Sequence, residues 1–117
     1  MAFKFENLTI WQRAMDVNDD IFLVSKSFHP DERFNLTSQI RRAADSIVLN
    51  IAEGSTSQSN PEFNRFLGYS IRSIVEVVCA LFIAKRRNYI TEEVFKKLYI
   101  ECEELVKMTQ SLKNKLK

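Results

Sequence analysis

Arg41-Arg42-Ala43-Ala44-Asp45-Ser46-Ile47-Val48-Leu49-Asn50-Ile51-Ala52-Glu53-Gly54 is the stretch that decides the fold. Leu36, Ile40, Ala43, Ile47 and Ile51 recur at steps of three and four, which is one face of an α-helix. The pattern predicts a helix from about Leu36 to Glu53. Gly54 reads as its stop, because glycine readily takes the left-handed conformation that ends many helices. Packing alone accounts for the apolar series. It does not account for Ser46, Asn50 and Glu53, which also share a face, or for the adjacent arginines.

Working outward, the same periodicity marks three more helices. Ile10, Ala14, Val17, Ile21, Val24 and Phe28 line a first helix from about Leu8 to Ser27, widened by Leu8, Trp11, Met15 and Phe22. His29-Pro30-Asp31-Glu32 breaks it, since a proline disfavours helix in the residue before it. A third helix starts with Asn60 as cap, Pro61 in its first turn and Glu62 on the positive end of the dipole. It continues to about Arg87 and carries two apolar stripes. One is Phe63, Leu67, Ile74, Val77, Leu81 and Ala84; the other is Ile71, Val75, Val78 and Phe82. One buried face needs one stripe, so two imply packing on more than one side. A fourth helix starts at Thr91 and presents Val94, Leu98, Cys102, Leu105, Met108, Leu112 and Leu116 inward. The connection between the third and fourth helices is only about four residues, so they are antiparallel neighbours. The fold class is all-α, an antiparallel up-down-up-down four-helix bundle, with residues 1–117 as a single domain.

Composition agrees. A chain of 117 residues with 45% hydrophobic residues can bury a real core. Two glycines and two prolines are too few for a turn-rich β protein. The start of the chain lacks the pattern of a signal peptide, and the most apolar run, Ile71 to Ala84, is shorter than a bilayer span and contains Arg72 and Glu76. The expectation is a cytoplasmic protein with no membrane partner. Cys79 and Cys102 lack metal-ligand spacing and read as reduced, core-lining thiols.

Catalysis finds little support. A di-metal bundle site needs Glu-x-x-His pairs on two helices. The chain has one histidine, His29, in a loop. Neither cysteine has a base nearby in the expected topology. Gly54-Ser55-Thr56 lacks the glycine spacing and lysine of a phosphate loop. No enzymatic activity, metal or cofactor is expected.

Charge is more informative in distribution than in total. The net charge is +2, yet residues 1–32 carry three basic and six acidic side chains and residues 33–88 carry eight basic and four acidic. Such asymmetry makes a local basic face. Arg41 and Arg42 lie near the positive end of the second helix dipole, where cations are disfavoured. They either pair with Asp45 or a neighbouring subunit, or contact phosphates. Lys85-Arg86-Arg87 end the third helix, where the dipole favours cations, and are also nucleic-acid candidates. Glu62, Arg65, Tyr69, Arg72 and Glu76 form a polar stripe that reads as a salt-bridged ladder or a subunit contact. Ser46, Asn50 and Glu53 read as a structural polar ladder, with a ligand-facing patch as the alternative. The lysine-rich end, Lys107 to Lys117, is a solvated helix end or an electrostatic arm. No RNA-recognition aromatic signature or helix-turn-helix is present, so base-specific readout has no support.

These residues carry a resemblance. Phe5-Glu6-Asn7-Leu8 with Trp11-Gln12-Arg13-Ala14, then Leu36 to Ala43, then Ser46-Ile47 and Asn50 to Gly54, resemble successive motifs of one family. Glu62-Phe63, Arg65-Phe66-Leu67, Ser73 and Glu76 continue it. The chain resembles the bacterial four-helix bundle proteins also called 23S ribosomal-RNA intervening-sequence proteins. The accessory variability determinant of diversity-generating retroelements is similar to them. The resemblance implies a ring-like homo-oligomer, most simply a pentamer, without catalytic activity. Its retroelement branch implies binding of RNA or DNA and association with a reverse transcriptase through a basic surface. On that basis Arg41, Arg42, Arg65, Arg72, Lys85, Arg86 and Arg87 are the nucleic-acid candidates, and a structural adaptor that assembles into a ring and binds a protein partner is the alternative. The chain departs from the family pattern in two places. The loop after Gly54 reads Ser55-Thr56-Ser57-Gln58 where a basic residue is usual, and Ser70 and Arg72 stand where Ala and Gly are common.

Overall fold

A computed structural model describes residues 2–117. Four helices follow in order: α1 (Thr9–Ser25), α2 (Leu36–Ser55), α3 (Asn60–Arg86) and α4 (Glu92–Lys115). A 3-10 turn at Lys4–Asn7 precedes α1, and another at Pro30–Glu32 joins α1 to α2. Each helix packs on the next and α4 returns to α1, so the bundle closes up-down-up-down. It measures 44 × 23 × 22 Å. The α2–α3 contact is the most extensive and the α1–α4 contact the least.

The helix starts follow capping chemistry. The Thr91 hydroxyl accepts from the Val94 amide at 3.1 Å, as expected for a cap. At α3 the cap is Ser59, not Asn60: the Ser59 hydroxyl accepts from the Glu62 amide at 3.3 Å, and Asn60 is already helical. Asn88 closes α3 with φ 64°, a left-handed conformation that asparagine tolerates, and the Tyr89 amide turns back to the Ala84 carbonyl at 2.9 Å.

Gly54 differs from its expected role. The helix runs past it to Ser55, and Gly54 has no positive φ. Its hydrogen is required by α3 instead. A Cβ there would stand 2.8 Å from Phe66 Cβ and 2.9 Å from Phe63 Cδ1. Gly54 lets α2 and α3 approach closely and is not where α2 unwinds.

The core is one aliphatic cluster drawn from all four helices. Ile21, Ile40, Ile47, Ile51, Leu67, Ile74, Leu81 and Leu105 are its largest fully buried members. The first stripe of α3 is entirely inside. The second is not: Ile71 and Val78 are half-buried, while Val75 and Phe82 are exposed. On α4, Phe95 rather than Val94 faces inward: Phe95 continues the buried series of Leu98, Cys102 and Leu105 at a step of three, and its ring meets Phe82 edge-on at 4.8 Å. Cys102 is buried but Cys79 lies exposed on the second stripe; both are free thiols.

Candidate nucleic-acid interface

Antiparallel packing brings the C-terminal ends of α1 and α3 beside the N-terminal ends of α2 and α4. Most of the predicted cations gather at this end. Their fates differ. Arg41 is half-buried between α1 and α2, where its Nε donates to the Ser25 hydroxyl at 2.7 Å and its guanidinium lies 4.5 Å from the Phe22 ring centre. Asp45 is not its partner: that carboxylate accepts from Asn18 Nδ2 at 2.8 Å. Helical spacing allowed an Arg41–Asp45 or Arg42–Asp45 pair within α2. The facing residues of α1, Asn18 and Ser25, take Asp45 and Arg41 instead. Arg42, one position on, is exposed with no carboxylate within 4.0 Å among the described residues.

Lys85 and Arg87 are engaged by the fold. Lys85 pairs with Glu92 at 3.0 Å and lies 4.3 Å from the Phe95 ring centre. Arg87 donates to Glu32, the one buried carboxylate beside it, which also accepts from Tyr89 Oη at 2.9 Å and Asn35 Nδ2 at 2.9 Å. Burial pushes the Glu32 carboxyl up, but the three donors and the Arg87 charge together hold it below its ordinary value. Burial and the same carboxylate raise the Tyr89 phenol. This cluster ties the α1–α2 connection to the α3–α4 turn. Arg86, between them in sequence, is exposed and unpaired among the described residues.

Arg65 and Arg72 are exposed too, and Arg65 lies 5.9 Å over the Phe66 ring. The expected salt-bridged ladder along α3 is absent among the described residues: neither arginine has a carboxylate within 4.0 Å. At about 1.5 Å per residue, Arg72 stands roughly 20 Å and Arg65 roughly 30 Å from Arg86 along α3. The seven cations therefore do not form one patch. Arg42 and Arg86 are the free ones at the basic end, joined there by Lys26 and Arg33.

A sequence profile of the 23S rRNA-intervening sequence proteins matches residues 6–111. The chain belongs to that family. A solved structure of similar fold is a protein of unknown function from the S23 ribosomal protein family of Bacteroides thetaiotaomicron. It is 24% identical, with a TM-score of 0.82 over 89% of this chain and 97% of that one. No protein of curated function matches the sequence.

Within the matched region, the polar residues of the stretch Ser46 to Gly54 are largely used in packing. Asn50 Nδ2 donates to the Ser46 carbonyl and hydroxyl, both at 2.9 Å, and Ser73 of α3 donates to Ser46 Oγ at 3.0 Å. Buried Ser70 donates to the Ile47 carbonyl at 3.0 Å. The polar ladder is thus Ser46, Asn50, Ser73 and Ser70. Glu53 is not part of it; its side chain is exposed without a hydrogen bond among the described residues. The third step of the ladder has rotated past the α2–α3 seam into solvent.

A second carboxylate cluster lies between α1 and α4. Glu101 faces Asp20, Asp16 and Arg13 across a cavity of about 120 Å³, and its Oε2 is buried without a hydrogen-bond partner. Lys97 stands 3.9 Å away, while Arg13 is drawn off to Glu104 at 2.9 Å. Burial and then the Asp20 carboxylate raise Glu101 to about 7. Among the described residues no three His, Cys, Asp or Glu side chains are placed to hold a metal ion. Burial, helped by Glu101, pushes the Cys102 thiol up to about 12, so it is protonated and unreactive. Sequence reasoning missed Phe22 and Ser25, which hold Arg41, and Phe34, which is 87% exposed. Phe22 shares a helical stripe with Leu8, Trp11 and Met15 at the edge of the inner face, yet it is exposed and packs against Arg41.

Proposed function

We propose that this protein is a non-enzymatic, homo-oligomeric accessory protein of the cytoplasm that binds nucleic acid, RNA in the first place. The supporting observation is the division among its cations. Lys85, Arg87 and Arg13 neutralise carboxylates, whereas Arg42 and Arg86 stand exposed and unpaired at one end of the bundle. Unpaired exposed arginines serve the phosphate backbone, which supplies most non-specific affinity. A reverse transcriptase acting on the bound strand is the protein partner this reading would favour.

Self-association draws on a different surface. Val75, 59% exposed, lines with Val78, Tyr99 and Val106 an apolar groove of about 200 Å³ between α3 and α4, and Phe82, 48% exposed, lies against Tyr99 beside it. By length and composition alone α3 would also pass for a membrane span, with 33% of its apolar stretch buried. Arg72 and Glu76 at mid-helix favour a subunit contact over lipid. The same groove favours the second reading, a ring-forming adaptor for a protein partner with no nucleic-acid role.

Binding of a labelled RNA hairpin, followed by fluorescence anisotropy from about 50 mM to about 200 mM salt, separates the two. The nucleic-acid reading expects affinity to fall steeply, about one log-log unit per phosphate contact. The adaptor reading expects no binding at any salt. Light scattering on the purified protein expects an oligomer in either case, and a monomer would contradict the role given to the second stripe.

A further inference from the structure

Two phenylalanines at the basic end lie outside the core. Phe34, just before α2, is 87% exposed, with the Arg33 guanidinium 5.1 Å from its ring centre. Phe22, in the last turns of α1, is 47% exposed, with Arg41 at 4.5 Å and Lys26 at 5.1 Å. Each ring therefore carries a cation beside it and still shows much of its surface to water. The cations at this end outnumber the free acids. Glu32 is neutralised by Arg87 and Glu92 by Lys85, whereas Asn18 is a neutral partner; Asp31, Asp45 and Glu93 therefore keep their charge against Lys26, Arg33, Arg41, Arg42 and Arg86.

We infer that the Phe22 and Phe34 rings are stacking platforms for unpaired nucleobases, with Arg33, Lys26 and Arg42 holding the adjoining phosphates. The inference rests on the nucleic-acid reading above and narrows it to single-stranded segments: loops, bulges and ends of a structured RNA. An exposed aromatic ring can accept any base face, whereas the stacked bases of a duplex offer none. Arginine beside the ring adds a second planar, charged surface for the same base. Recognition of this kind is tolerant of sequence, in keeping with a chain that has no base-reading motif.

Anisotropy titrations with an unstructured oligo-uridine of about 12 nucleotides, the matching oligo-thymidine, and an RNA duplex of equal length test it. At low salt the single strands are expected to bind at least about tenfold more tightly than the duplex. Phe34→Ala is expected to weaken the single strands about tenfold and leave the duplex unchanged, with Phe34→Trp restoring binding. An unchanged melting temperature certifies the Phe34→Ala fold; Phe22→Ala is expected to weaken the single strands as well, with a small drop in melting temperature because Phe22 also holds Arg41. The DNA strand is expected within a few-fold of the RNA, because a ring face does not read the 2′-hydroxyl; a large RNA preference would overturn stacking as the main contact. Equal binding of strand and duplex, unaffected by Phe34→Ala, would overturn the stacking inference while leaving the basic-surface reading intact. No binding of any probe would overturn both.

Discussion

The two halves of α2 have the same helical geometry and different polar partners. From Ser46 to Ser55 the helix is pressed onto α3, with Ser70 and Ser73 donating into it and Phe63 and Phe66 against Gly54. From Leu36 to Asp45 only the inner face is closed. Arg41 is held by Ser25 and Phe22 of α1, Asp45 by Asn18, and Arg42 projects unpaired. The contrast separates two meanings of a polar residue in an amphipathic helix. A polar group opposite another helix finds a partner there and becomes structure. A cation one position off that seam finds none and is left for an outside anion.

Substitutions can break this contrast. The largest expected effect is at Gly54. Gly54→Val places atoms where Phe66 Cβ and Phe63 Cδ1 already stand, within 3.0 Å. Overpacking of this kind should lower stability by about 3 kcal/mol in denaturant melts. RNA affinity of the remaining folded fraction should be unchanged. A fully stable Gly54→Val protein would show that the two helices can part there without loss.

The next effect is at the other half. Arg42→Glu should weaken RNA binding about tenfold at low salt and reduce the salt slope by about one, with no change in melting temperature. If the melting temperature drops instead and binding holds, Arg42 serves assembly, and the two halves of α2 are alike after all.

The same contrast between satisfied and unsatisfied polar groups recurs between Glu32 and Glu101, and it has a pH signature. The folded protein holds the Glu101 proton up to about pH 7, against an ordinary value of 4.5. Between those values the unfolded chain releases a proton that the folded chain keeps. Stability from this site therefore falls as pH rises from 4.5 to about 7 and is level beyond. Glu101→Gln should remove that decline and raise stability at pH 8 by about 1 kcal/mol, allowing for solvent screening of a partly exposed group. Parallel pH–stability curves for the two proteins would count against it. Glu32 has the opposite sign. Its depressed carboxyl contributes stability above 4.5 that is lost as the pH drops through its lower folded value.

The smallest effect is at Glu53. Outside the ladder and exposed, Glu53→Ala should change stability by no more than about 0.5 kcal/mol. A loss beyond about 1 kcal/mol would return it to the polar ladder.

The bundle was legible in the sequence because periodicity reports burial directly. Ile40, Ala43, Ile47 and Ile51, and the first stripe of α3, lie where their spacing places them. The errors have a common cause: each needed knowledge of which neighbour a residue meets. Gly54 has the composition of a cap, and only Phe63 and Phe66 across the seam reveal it as a close approach. Arg41 and Asp45 have the spacing of an ion pair, and only Ser25 and Asn18 on α1 divert them. Val94 and Phe95 stand four and three residues before Leu98, and both steps return to one helix face, so spacing alone does not choose between two apolar residues there. At the candidate interface, Lys85, Arg86 and Arg87 are alike in sequence. Glu92 and Glu32 claim the first and third, leaving Arg86.

The account's central claim is that the free cations of the basic end bind nucleic acid. The most direct test is the affinity of the purified protein for a labelled single-stranded RNA, titrated across salt with Arg42→Glu and Phe34→Ala alongside. The account predicts binding at about 50 mM salt that falls steeply with salt, a slope about one unit smaller for Arg42→Glu, and an unchanged slope with weaker affinity for Phe34→Ala. No RNA binding by the wild-type protein at about 50 mM salt would contradict it.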